Sequence, residues 1–567
     1  MAPIMEYWNS GMMEYLPQPL IDEYRNRWQA FQRATEAAGL PSVTDPEFLE
    51  SSKYVFAFSD FVAASCRRDP AMLVDLIDGG DLFRRRPQND YEHKLKTLLA
   101  DVEDEDSLMR LLRCCRRREL VRIAWRDLAG WADLAETISD LSAFADACLD
   151  RTLKILHRWQ CTISGIPTAE DGSQQHLVIL GLGKLGAREL NFSSDVDLIF
   201  AYPQVGNTRG AGQSTGNADF FTRLCRRLIK VIGQPTADGF VFRVDARLRP
   251  FGESGPLTMD FDAMEQYYQQ QGREWERYAL IKARALAGDI DAGCRLLEKL
   301  HPFIYRRYLD YSAFESLREM KQMIARDVKR QGMENNIKLG PGGIREIEFF
   351  GQIFQLIRGG VTPALQDTGI LKVLKALAAE HHIPPNVCSE LVEAYVFLRN
   401  TENRLQAFSD QQTHRLPSDD TGILRLAASM GFADPQSFNS ALDKHRRTVH
   451  DHFQMLLETS DSEDRPTDDD DPLEVIWLDF AGTHPAESIL RQMGYEQPQK
   501  VLQLLEYLRT AAETKSLSPR GRQRLDKLVP RFLKEIGTHK NSLVTLRRVV
   551  DLIKTIERRT SYLALLV

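Results

Sequence analysis

Residues 177–201, LVILGLGKLGARELNFSSDVDLIFA, constrain this chain more than any other stretch. An apolar run from Leu177 to Leu180 enters a glycine-rich turn, and a second, Val196 to Phe200, leaves it. Such runs, punctuated by glycine, read as strands. Residues two apart on a strand point to one side. Asp195 and Asp197 therefore share a face, and Val196 and Leu198 are left for the core. Two close carboxylates repel unless a cation lies between them, and a hard divalent ion such as Mg²⁺ suits oxygen ligands. Backbone N–H groups that cradle phosphate, beside a metal that neutralises it, are what phosphoryl or nucleotidyl transfer requires.

Two other readings compete. Gly181, Gly183 and Gly186 spell the G-x-G-x-x-G of dinucleotide folds. That fold needs a full helix after the turn and an acid about 20 positions on. Here only Ala187 to Ser194 intervene, and Asn191, Ser193 and Ser194 suit a helix interior poorly. The blander alternative makes the two aspartates the solvated face of an edge strand.

Length leaves room for roughly three or four domains. A net charge of −7 argues against nucleic acid as the main ligand. Eight cysteines without a C-x-x-C spacing argue against a disulfide framework and a zinc site. The first residues carry an acid and no long apolar core, and no apolar run approaches the roughly 18 residues of a membrane span. A cytoplasmic protein with no membrane partner is expected.

Residues 1–150 read as helical throughout, with apolar positions at helical spacing. Their basic cluster, Arg113, Arg116, Arg117 and Arg118, reads as a solvated helix face, with an anionic partner as the alternative. Residues 151–290 hold nearly all the strand signal. A loop (Pro203 to Gly216) and a helix (Ala218 to Ile232) lead to a strand expected over Gly239–Pro250. There Phe240, Phe242 and Val244 alternate with Arg243, Asp245 and Arg247. Asp245 would bring a third carboxylate to Asp195 and Asp197, and Arg247 and Arg249 would hold phosphate oxygens. A salt-bridged surface strand is the alternative. Arg273 to Arg284 reads as one helix, its Trp275 and Tyr278 suited either to stacking a base or to plain core. Residues 291–457 return to helices, broken by the turn Lys338–Gly343 ahead of Arg345, Glu346 and Glu348. That turn reads as structural or as an anion site. Residues 458–472 form an acidic, flexible linker, and 473–567 are helical. The uncapped apolar end, Tyr562 to Val567, reads as a cut through a longer protein.

Taken together, GLGKLGARELNFSSDVDLIF, DGFVFRVDARLRPFGESGPL, REWERYALIKAR and IKLGPGGIREIEF resemble, in this order and spacing, the bacterial bifunctional glutamine synthetase adenylyltransferase/adenylyl-removing enzymes. The resemblance is strong over roughly residues 90–450. DGFVFRVDARLRP and WERYALIKAR resemble the adenylyl-removing half. The resemblance implies an α+β, predominantly helical chain, with a polymerase-β-like nucleotidyltransferase domain of small mixed sheet flanked by helical domains. It implies phosphorolysis of adenylyl-tyrosine, with inorganic phosphate as reactant and ADP as product. Asp195, Asp197 and Asp245 would hold one or two Mg²⁺ ions. The turn with Gly181, Gly183, Lys184 and Gly186, together with Ser193 and Ser194, would grip the nucleotide phosphate. Arg247 and Arg249 would take the attacking phosphate. Adenylylated glutamine synthetase and the uridylylated PII signal protein are the implied partners. The attaching reaction from ATP, and a non-catalytic module that senses PII, are the rival readings.

Overall fold

The computed structural model describes residues 16–87, 89–210, 214–306, 333, 335–458, 473, 476, 477, 483–510, 519–537, 539 and 541–556. The acidic stretch 459–472 and the apolar end 562–567 lie outside the described residues. The described residues fall into two compact units. The first holds those up to Arg306 and from Met333 to Gln454, and the second those from Met455 onward.

Two long helices carry the N-terminal half of the first unit, α1 (Glu105–Leu128) and α2 (Leu134–Ser164). Each starts on an aspartate whose carboxylate accepts an amide of the first turn: Asp104 from Ser107 N, Asp133 from Glu136 N, both at 2.8 Å. Such caps satisfy amides that the helix leaves unpaired. α2 stops at Gly165, whose φ of 80° lies in the left-handed region that glycine enters without strain.

The basic cluster on α1 is neither a solvated face nor a free anion site. Arg113 is buried and donates to Gly239 O and Gln234 O, and Arg116 pairs with Asp410 at 2.8 Å. Arg118 reaches Asp75 and Asp81, and Arg117 lies 3.6 Å from Asp238. These arginines tie α1 to segments far away in sequence, which a helical pattern alone does not reveal.

A five-stranded mixed sheet follows. Its order is β5 (Val244–Asp245), β3 (Val196–Tyr202), β2 (Val178–Gly181) and β7 (Arg284–Gly288), and β6 (Thr258–Asp260) also pairs with β3. β2 is antiparallel to β3 and β7, while β5 and β6 run parallel to β3. A separate ladder joins β1 (Ile166–Thr168) to β4 (Asn207–Arg209). Alternation along β3 sends Val196, Leu198, Phe200 and Tyr202 into one core, shared with the N-terminal helices. The other side of the sheet receives the helix Ile290–Ile304 at close range: a Cβ on Gly293 would stand 2.9 Å from Val178 Cγ1.

The expected strand over Gly239–Pro250 shrinks to Val244–Asp245. Val241 and Phe242 are both buried, because both amides donate to Ile232 O, so the alternation fails there. Past Asp245, its own carboxylate accepts Arg247 N at 2.8 Å and the chain turns. Likewise Arg273–Arg284 is not one helix. The helix is Glu274–Leu280, and Arg284 opens β7.

Further helices complete the unit, including α3 (Gly183–Gly186), α4 (Asn217–Gly233), α5 (Ile344–Arg358) and α6 (Pro385–Ser409). In the second unit, helices Thr483–Gln492, Pro498–Thr510, Pro519–Gly537 and Ser542–Ile556 share a core with Trp477, Tyr495 and Leu533. Tyr495 carries its hydroxyl into that core and donates to Leu533 O at 2.9 Å.

Candidate active site

The β3–β5 register sets Asp197 opposite Asp245, and Asp195 stands one residue before β3. All three carboxylates thus gather at one end of the sheet. Arg243 Nε donates to Asp195 Oδ1 at 2.6 Å and Gln412 Nε2 to Oδ2 at 3.2 Å. Arg247 grips Asp245 Oδ2 through Nε and Nη2, at 2.9 and 2.5 Å, and holds its carboxyl below the usual range. Asp197 differs: no side chain among the described residues hydrogen-bonds it. Burial, then the neighbouring Asp245 and Asp195, push its carboxyl up to about 6.

Three hard oxygen donors, one lacking any hydrogen-bonding partner, fit a divalent cation by chemistry. The described residues hold no group of three His, Cys, Asp or Glu already arranged around a metal position. Asp195 and Asp245 are instead paired with Arg243 and Arg247.

The glycine turn lies against this cluster. Leu182 N donates to Asp197 O at 2.9 Å, and Gly183, at φ 54°, comes so close that a Cβ would stand 2.8 Å from Asp197 Oδ2. Gly186 is closer still to backbone, with its would-be Cβ 1.8 Å from Lys282 O. Gly181 leaves room for Leu286, 2.2 Å from where a Cβ would be. The helix after the turn, α3, has four residues, so the long helix a dinucleotide fold needs is absent here.

Several residues expected to grip phosphate are engaged otherwise. Lys184 is turned inward and donates to Glu402 Oε1 and Oε2 at 2.8 and 3.0 Å and to Asn191 Oδ1 at 2.8 Å. Burial pulls its ammonium down to about 7 in spite of Glu402. Ser193 is buried; its N–H donates to Gln406 Oε1 at 3.0 Å and its carbonyl accepts from Arg243. Ser194 Oγ accepts Asn191 N at 3.3 Å. Arg249 staples its own loop through the carbonyls of Ala246, Glu253 and Gly255, and Arg247 serves Asp245. In the 273–284 segment, Arg277 is fully buried on Ile304 O and Leu356 O, and Arg284 donates to Leu185 O and Gly186 O. Tyr278 packs against Phe349, ring centroids 4.9 Å apart.

Sequence reasoning passed over the residues that hold the turn in place. α6 is buried on nearly every side from Leu398 to Ala407, although the run is mostly polar. Buried polar groups need partners, and these find them on residues 189–193. Arg399 donates to Glu189 O and Asn191 Oδ1, Asn403 Oδ1 accepts Phe192 N, and Gln406 accepts Ser193 N. Glu402 faces Lys184, while Arg399 Nε and His414 Nδ1 lie 3.2 and 3.1 Å from its carboxylate. The one hint in the sequence is the dense, mostly polar run Arg399–Gln406 following the apolar Tyr395–Leu398 stretch of the helix. From α5, Glu348 meets Lys282 at 2.7 Å. Glu346 accepts Gly342 N at 3.0 Å and so holds the turn, while Arg345 lies over the Phe349 ring.

A small mixed sheet with three carboxylates beside a glycine turn has the donor set that nucleotidyl transfer uses. A family model described as glutamate-ammonia ligase adenylyltransferase matches residues 49–299, and one described as GlnD PII-uridylyltransferase matches residues 318–457. The bifunctional glutamine synthetase adenylyltransferase/adenylyl-removing enzyme of Nitrosococcus oceani is 50% identical over 554 residues, 97% of this chain and 57% of the relative's own length. The enzymes of the same name from Thioalkalivibrio sulfidiphilus and Pseudomonas putida are 45% and 46% identical, over 98% and 90% of this chain and 57% and 53% of their own lengths. Over nearly its whole length the chain is thus similar to part of these enzymes. It spans a little over half the length of the curated relatives it matches.

Proposed function

We propose that this chain removes AMP from an adenylylated tyrosine of glutamine synthetase by phosphorolysis, releasing ADP and the free tyrosine. The observation that carries the reading is the gathering of Asp195, Asp197 and Asp245 at the glycine turn. The wording of DGFVFRVDARLRP and WERYALIKAR favours removal over attachment. In this reaction an oxygen of hydrogen phosphate attacks the AMP phosphorus, and the bond from phosphorus to the tyrosine oxygen breaks. The proton of hydrogen phosphate passes to the departing phenolate. Asp195, Asp197 and Asp245 would hold one or two Mg²⁺ ions, which supply neutralisation of phosphoryl and leaving-group charge when bound. Gly183 keeps the turn tight against Asp197, and α6 keeps the turn in place through Lys184 and residues 189–193.

The match of residues 318–457 to a PII-uridylyltransferase supports a tie to PII signalling, with the uridylylated PII protein as activator. The reading places the protein in the cytoplasm; among the described residues no helix is long and apolar enough to cross a membrane. A second reading, attachment of AMP from ATP, is favoured by the matching family's description, which names an adenylyltransferase.

The test is ADP release from adenylylated glutamine synthetase, with Mg²⁺ and phosphate, by this chain and its Asp195→Asn/Asp197→Asn variant. Release that requires phosphate and disappears in the variant is expected. AMP incorporation from ATP, with no phosphate-dependent ADP, would replace this reading with the second one.

A further inference from the structure

The turn from Asn336 to Gly343 lies outside the sheet, yet main-chain bonds bring it to the carboxylates. Ile337 N donates to His414 O at 2.9 Å, Leu416 N donates to Asn335 O at 3.3 Å, and Asn336 bridges to Arg415. On that partner segment, His414 lies beside Glu402, which holds Lys184, and Gln412 donates to Asp195. Lys338 therefore starts from a backbone fixed next to the site. Its own N–H donates to Asn336 Oδ1 at 2.9 Å, and its carbonyl accepts Arg345 N at 3.1 Å.

Its side chain is half-buried and, among the described residues, has no hydrogen-bonding or ion-pair partner. The positive charge nonetheless acts on Lys184 and Glu348. The neighbouring cations are committed: Arg243 to Asp195, Arg247 to Asp245, Lys184 to Glu402, Lys282 to Glu348, and Arg249 to carbonyls. Holding an ammonium partly out of water without a counter-ion costs free energy that a bound anion recovers. Lys338 also sits where an anion would be needed, beside a carboxylate cluster that repels anions by itself.

We propose that Lys338 binds the inorganic phosphate that attacks the AMP phosphorus, its ammonium pairing with phosphate oxygens on the Asp197 side of the site. This rests on the phosphorolytic reading above. Lys338 stays protonated throughout and forms no covalent bond. It assigns to the 335–343 turn the anion-binding role that Arg247 and Arg249 do not fill.

The experiment compares the chain with its Lys338→Ala and Lys338→Arg variants in two measurements. The first is the phosphate dependence of ADP release from adenylylated glutamine synthetase, with KM for phosphate and for the protein substrate determined separately. The second is the ³¹P line width of inorganic phosphate titrated with each protein in the presence of Mg²⁺ and no other substrate. Loss of one charge-assisted contact predicts a KM for phosphate raised about tenfold or more in Lys338→Ala. KM for the protein substrate and the thermal midpoint should stay put, Lys338→Arg should recover most of the loss, and line broadening should fall in the alanine variant alone. A wild-type KM for phosphate in Lys338→Ala overturns the proposal. So does a rise in both KM values accompanied by a lower melting point, which marks a structural role. If wild type releases no ADP, the phosphorolytic reading fails, and the ³¹P titration judges Lys338 separately. Equal broadening by wild type and Lys338→Ala then removes it, whereas broadening lost in the alanine variant keeps the anion site.

Discussion

Gly183→Ala separates the cost of a backbone conformation from the cost of moving a catalytic carboxylate. Gly183 sits at φ 54° and Gly39 at φ 68°, both in the left-handed region. An L-residue there costs about 1–2 kcal/mol. Around Gly39 a Cβ meets nothing within 4 Å, so Gly39→Ala reports that conformational cost alone. At Gly183 the Cβ would stand 2.8 Å from Asp197 Oδ2, inside ordinary contact distance. Relief requires the carboxylate to retreat by roughly half an ångström. The short aspartate stem is half-buried, so relief moves its oxygens within the carboxylate cluster. The two variants should therefore lose similar stability, about 1–2 kcal/mol in urea unfolding. In the ADP-release assay, Gly39→Ala should keep wild-type kcat. Gly183→Ala should lose about 10- to 100-fold, since misplacement on the ångström scale costs that much. Equal activity in the two variants would refute the claim that Gly183 sets the position of Asp197.

Three further outcomes follow from the packing. Glu402→Gln removes the charge shared by Lys184, Arg399 and His414 and should cost about 3–5 kcal/mol in chemical denaturation. Lys184→Met, which leaves Glu402 with Arg399 and His414, should cost less. Burial alone would raise the Glu348 carboxyl, but Lys282 and then Lys184 outweigh it and bring it down to about 2. A carboxyl depressed on folding stabilises fully above its unfolded value near 4.5, and that contribution fades as pH falls toward 2. The stability gap between wild type and Glu348→Gln should thus shrink by about 3 kcal/mol across this window, read from unfolding at a series of pH values. Gly186→Ala would drive a Cβ into the carbonyls of Lys282 and Gly181, at 1.8 and 2.6 Å. Neither backbone atom can swing aside, so soluble yield should collapse, in contrast to Gly183→Ala.

What was legible in the sequence was local. Alternation on Val196–Phe200 placed Asp195 and Asp197 away from the core, and the glycines marked a turn whose tightness the structure explains atom by atom. Asp245 was found because an acid among arginines stood out, although its strand is two residues long and not twelve. Illegible were the partners of charges. Lys184, Arg277 and Arg284 carry the residue types of phosphate binding, but each lies opposite a buried carboxylate or carbonyl contributed from elsewhere in the chain. Only the three-dimensional contacts tell a cation that waits for a ligand from one already neutralised. For the same reason the turn that begins at Lys338 reads equally as structural or as an anion site until the partners of the neighbouring charges are known.

The grip of α6 on residues 189–193 bears on how such chains can be recombined. The sheet, the glycine turn and all three aspartates end by residue 288, which invites treating that stretch as an exchangeable cassette. Yet the groups that fix its loop, Arg399, Glu402, Asn403 and Gln406, and the Gln412 that touches Asp195, all come more than a hundred residues later. A chimaera crossing over near residue 290 would join one parent's loop to another parent's clamp. A mismatch at Glu402 or Gln406 would strand buried donors in the seam. Inheritance of this site has to run in one block from the glycine turn through Gln412, and the two family regions that meet there would be expected to drift together.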